Sequence, residues 1–104
     1  TGIDQDREDF SNIWLNRVMY SQTDIFQDIY DQLTIAQRST LLAISKTGGS
    51  GIFSDMVRTR YDLPVSSSLT ETIKALQKKA LIYKSDKEYK FVNPVFREWL
   101  LTLL

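Results

Sequence analysis

The chain contains no cysteine and no histidine. The first absence excludes disulfides and thiolate metal sites. The second removes the commonest general base and the commonest metal ligand. No apolar run approaches the ~20 residues that a membrane-spanning helix needs. The first residues, Thr1-Gly2-Ile3-Asp4, are acidic and lack the apolar stretch of a secretory signal. They also lack an initiator methionine, so we expect a cytoplasmic segment cut from a longer protein. Glycine is scarce, and three of the four copies crowd into Gly48-Gly49-Ser50-Gly51. Length, at 104 residues, suits one domain with an extension.

Charge balances to zero over the whole chain but not along it. Residues 1–33 hold two basic and seven acidic residues, a net of −5. Residues 34–104 hold eleven basic and six acidic residues, a net of +5. A mildly basic second part is compatible with phosphate contact. The plainer reading is that the two parts pack on each other or stay solvated.

Residues 4–33 read as helical, because Phe10, Trp14, Val18, Ile25 and Ile29 recur near the 3.6-residue period. Asp4, Asp6, Glu8 and Asp9 crowd the first turns, where the helix dipole favours anions. Ser21-Gln22-Thr23-Asp24 is the place where this stretch would break in two. Thr34-Ile35-Ala36-Gln37 is a capping box and opens a helix with Leu41, Leu42 and Ile44 inward. The glycines from Gly48 end it. Ile52-Phe53 suits a one-bridge strand, and Ser54 caps a short helix with Met56, Val57 and Tyr61 inward.

After the turn at Asp62-Leu63-Pro64, Ser66 or Ser67 is expected to cap a helix running to about Ala80. Leu69, Ile73, Leu76 and Ala80 share a narrow arc of it. Leu81–Lys84 and Tyr89–Val92 flank a polar four-residue loop, a hairpin signature. Asn93-Pro94 starts a last helix carrying Phe96, Trp99, Leu100, Leu103 and Leu104. Trp14, Tyr20, Phe26, Tyr30, Phe53, Tyr61, Phe91, Phe96 and Trp99 are assigned mostly to core faces. This order predicts a mainly α fold with a small β-hairpin. It is a winged helix-turn-helix over residues 34–104 with an N-terminal helical extension over residues 1–33.

The same segments resemble a known family. Leu33–Arg38 through Leu42-Ala43-Ile44 looks like the helix that opens the C-terminal winged-helix domain of archaeal and bacterial AAA+/STAND-type P-loop ATPases. Ser66–Leu69 through Ile73–Leu76, then Ala80–Tyr83, resembles that domain's recognition helix running into its wing. Asn93-Pro94-Val95-Phe96-Arg97-Glu98-Trp99-Leu100 is similar to the family's closing (D/N)-P-x-F-x-x-W-L element. The resemblance implies that residues 3–33 end the helical lid behind a nucleotide-binding core. Ala80 stands where the family often has glycine, which bears on the entry to the wing. The chain itself carries no G-x-x-x-x-G-K-[ST] loop, so any ATPase engine of a parent lies upstream.

Candidate contact residues follow from the winged plan. The outer arc of the recognition helix is Ser67, Glu71, Lys74 and Lys78. Lys74 and Lys78 suit phosphate, whereas Glu71 would face the polyanion or pair with Lys74. Arg38, Arg58 and Arg60 are placed to reach a backbone. The wing adds Lys84, Lys87 and Lys90, although Asp86 and Glu88 flank its tip. Carboxylate pairs such as Asp6/Asp9 and Asp28/Asp31 lack the apolar wall that raises a catalytic pKa. We therefore expect no catalytic residue, cofactor site or metal site in this chain. The leading expectation is a non-catalytic domain that docks on an upstream ATPase core or another protein. The alternative is a double-stranded DNA-binding module of weak sequence preference. Apolar residues in excess of one stripe on the extension also suggest homo-oligomer formation through that arm. No membrane partner is expected.

Overall fold

The computed structural model describes residues 13–103. Helix α1 is seen over residues 13–21, and α2 follows at Thr23–Asp31 after a single irregular residue, Gln22. The break falls inside the Ser21–Asp24 stretch, as its polar residues predict. The Thr23 hydroxyl donates to the Met19 carbonyl at 3.2 Å, and Phe26 N–H donates to the Gln22 carbonyl at 3.0 Å. The two helices therefore run on almost continuously. Phe10, the early acidic residues and Leu104 lie outside the described residues.

Helix α3 spans Ile35–Thr47. Thr34 Oγ1 accepts from Gln37 N–H at 3.1 Å, and Gln37 Oε1 accepts from Thr34 N–H at 3.0 Å, closing the expected capping box. Gly48 ends the helix in the left-handed region at φ 75°. Ile52 and Phe53 form a turn instead of a strand; Ile52 is buried and Phe53 is partly exposed. Helix α4 spans Asp55–Arg60 behind the Ser54 cap. Val57 and Tyr61 are half-buried, but Met56 is 78% exposed, contrary to its expected inward position. Six residues give less than two turns, so this helix has room for few inward positions.

Helix α5 spans Ser66–Lys78, and its N-cap is Val65, with no side-chain cap bond. Ser66 and Ser67 are inside the first turn, one step later than a capping role requires. Leu69 N–H bonds to the Val65 carbonyl at 2.8 Å, which seats Leu69 fully in the core. Leu69, Ile73 and Leu76 form the buried stripe. Ala80 does not belong to it: the helix has ended, and Ala80 is exposed at φ 59°. Strands β1, Ile82–Ser85, and β2, Glu88–Phe91, pair antiparallel from Ile82↔Phe91 to Ser85↔Glu88. The loop is thus Asp86-Lys87, two residues and not four, turned by Asp86 at φ 56°. Helix α6, Pro94–Leu101, starts on the Asn93 side-chain cap with Pro94 in its first turn.

Among the described residues the core is one cluster. It joins Met19, Phe26 and Leu33 from the extension to Leu41, Ile44, Leu69, Ile73, Leu76, Ile82, Phe91, Phe96, Trp99 and Leu100. Phe26 packs on Phe96 at 5.2 Å and on Trp99 at 5.8 Å between ring centroids. Tyr30 meets Trp99 edge-on at 5.9 Å. Such offset and edge contacts add to the burial of large apolar area. The two buried hydroxyls, Thr40 and Ser45, are satisfied by the Ala36 and Leu42 carbonyls, each at 2.7 Å. Trp14 and Tyr20, expected in the core, are 59% and 74% exposed.

Candidate interaction surface

The inward stripe of α5 turns Ser67, Glu71, Lys74 and Lys78 outward, and all four are exposed. This face and the hairpin lie next to each other in the chain, linked by Lys79, Ala80 and Leu81. Glu71 stands in the middle of the arc and pairs with Lys74 at 3.6 Å. Both groups are well solvated, so the pair contributes only ~0.2–0.5 kcal/mol. Lys78 and Lys87 are exposed and make no ion pair among the described residues. Lys84 lies over the Tyr89 ring at 5.8 Å.

Other predicted contact residues are turned inward to the protein's own backbone. Arg38 Nε donates to the Tyr30 carbonyl at 3.1 Å and its Nη2 to the Asp31 carbonyl at 3.4 Å. Its guanidinium also stacks over the Tyr30 ring at 4.4 Å. Arg38 therefore closes the C-terminus of α2, where carbonyls lack helical partners. Arg58 pairs with Asp55 on its own helix, and its Nε is buried without a partner. Arg60 stands exposed near the Tyr61 ring. Lys90 pairs with Glu88 at 2.5 Å and donates to the Gly48 carbonyl at 3.2 Å.

Arg97, given no role by the sequence pattern, shares the task of Lys90. Its Nη2 donates to the Ser45 carbonyl at 2.8 Å. Two cations thus meet the C-terminal carbonyls of α3, where the helix dipole favours positive charge. No sequence motif flags this pairing, because the acceptors are backbone groups.

Helix α3, the short α4, the exposed-faced α5 and the hairpin after it follow in the order of a helix-turn-helix with a wing. The sequence model of the probable winged helix domain matches residues 24–102. The chain belongs to this family. No curated protein and no solved structure gives a significant match. The winged helix therefore is a module suited to DNA or protein contact. The match starts at residue 24, so it takes in α2, whose Phe26 and Leu33 lie in the common core. Among the described residues no group of three or more acidic residues is placed to hold a metal ion, and no helix is long and apolar enough to cross a membrane.

The closing element, one of the three segments that carried the ATPase resemblance, has a role in this fold at every fixed position. Asn93 caps α6, Pro94 fits its first turn, and Phe96, Trp99 and Leu100 are buried. Its fixed positions are thus a cap, a first-turn proline and three core contacts.

Proposed function

We propose that this winged helix is a non-catalytic protein-contact domain. The observation that carries the reading is the state of its cations. Of the eight proposed as nucleic-acid contacts, Arg38, Arg58 and Lys90 already hold partners within the chain, and Lys74 is weakly paired with Glu71. Glu71, on the outer arc of α5, adds a negative charge to the surface that would meet phosphate. Exposed apolar side chains stand on α1, α2 and α4, as well as at Val65 and at Tyr83 of the wing. The resemblance to AAA+/STAND-type P-loop ATPases supports a finer version, in which the domain docks on an ATPase core and reports its nucleotide state.

Double-stranded DNA contact is the second reading, favoured by the exposed Lys78, Lys84 and Lys87 on α5 and the wing and by the exposed Arg60 on α4. A fluorescence titration with duplex DNA at physiological salt separates the two. Protein contact predicts binding no tighter than the non-specific range, ~10⁻⁴–10⁻⁶ M, without sequence preference. Nanomolar, sequence-selective binding overturns it.

A further inference from the structure

The outer surface of the extension holds more apolar area than a solvated helix requires. Trp14 and Ile25 are 59% and 61% exposed, although both belong to segments whose other face reaches the core. At 100° per residue along nearly continuous helices, Trp14 and Ile25 lie within about 20° of each other. Asp24 and Asp28 stand beside this strip, four residues apart and both exposed. Neither makes an ion pair among the described residues. Arg17 is exposed on the same border, so among the described residues the surface is an apolar strip whose border carries two aspartates and one arginine.

The complementary surface is present on the same molecule. Lys74 and Lys78 are also four residues apart on an exposed helical face, so both pairs are separated by ~6 Å along their axes. Lys79 and Lys87 extend the basic region, and the half-exposed Tyr83 gives it an apolar element. Two copies meeting strip to strip would bring four aspartates together with only the two Arg17 side chains to offset them, so the more basic α5–wing surface is the better complement. Contact between unlike surfaces satisfies both charge and apolar burial.

We infer that the α1–α2 strip docks on the α5–wing surface of a second copy of this chain, in a head-to-tail contact. Such a contact leaves one acidic strip and one basic surface free, so association continues past the dimer unless a ring closes. The inference rests on the protein-contact reading and names its partner. Lys74 remains available because its bond to Glu71 is long and solvated, and the one negative charge of Glu71 is outweighed by Lys74, Lys78, Lys79 and Lys87 against a strip of two aspartates.

Sedimentation over a micromolar concentration series tests it, with two charge-reversed proteins. One carries Asp24→Lys with Asp28→Lys; the other carries Lys74→Glu with Lys78→Glu. The unmodified chain is expected to gain mass with concentration beyond a dimer at low salt, and to lose it at high salt. Each variant alone should be monomeric with unchanged circular dichroism. Mixed in equal amounts they should associate, since the acidic strip of one meets the basic surface of the other. Trp14→Ala should weaken association about tenfold. A monomeric unmodified chain, a dimer that ignores salt, or variants that fail to associate on mixing would each overturn the inference. A monomer that also leaves DNA alone overturns only this inference. Tight DNA binding overturns the protein-contact reading beneath it.

Discussion

Ala80 holds a backbone conformation that its side chain opposes. At φ 59° its Cβ crowds the following carbonyl, a cost of ~1–2 kcal/mol for an L-residue. The position joins α5 to β1, and the chain must reverse there within a few residues. Ala80→Gly should stabilise the fold by about 0.5–1 kcal/mol, once glycine's greater unfolded-state entropy offsets part of the relief. A urea midpoint that rises with unchanged slope would show this; an unchanged or lower midpoint would show that the left-handed residue is unstrained. Gly49 is the opposite case. It lies at φ 90°, and a Cβ there would come within 1.7 Å of the Tyr89 carbonyl oxygen. Gly49→Ala should cost ~2–4 kcal/mol, as left-handed strain and displacement of β2 combine. A loss below ~0.5 kcal/mol, typical of surface changes, would contradict the close approach.

Elements were legible in the sequence where their signals are local. Thr34 and Gln37 bond each other across one turn, Gly48 needs only its own φ, and Asn93-Pro94 fixes a start without reference to anything distant. The buried stripe of α5 was legible through its period, and Leu76 is fully buried. Leu76→Ala is expected to cost ~2–5 kcal/mol in a denaturant titration. A change below ~0.5 kcal/mol would mean that α5 presents another face.

What the pattern missed depends on other parts of the chain. The hairpin loop has two residues, yet no glycine marks the left-handed Asp86. Ser66 and Ser67 offered caps, but the register that buries Leu69 puts the N-cap at Val65. The same holds for the candidate site. The exposed arc of α5 followed from helical period, whereas Arg38, Lys90 and Arg97 are held by backbone carbonyls that no residue identity announces. Arg97→Met should therefore destabilise the fold by ~1.5–3 kcal/mol, the range for a hydrogen bond to a charged group. Conversely, a neutral result would show that water replaces the guanidinium at the end of α3.

At the scale of the whole molecule, the division between extension and winged helix becomes a question about one ring. Phe26 is buried, and it touches Phe96 and Trp99, the centre of the closing helix. Leu33 and Met19 join the same cluster. A lid that merely leaned on the winged helix would leave its removal cheap. Here α2 fills one side of the only core cluster found among the described residues. Phe26→Ala should cost ~3–5 kcal/mol, the range for deleting a buried aromatic ring. It should also lower the stability of the whole unit, with α2, the hairpin and α6 lost in one transition. Hydrogen exchange resolved by segment is the measurement that checks it. Equal loss of protection in α2, α5 and α6 is the expected outcome. Loss confined to α1 and α2, with α5 and α6 still protected, would show that the extension folds separately and that residues 34–104 stand alone.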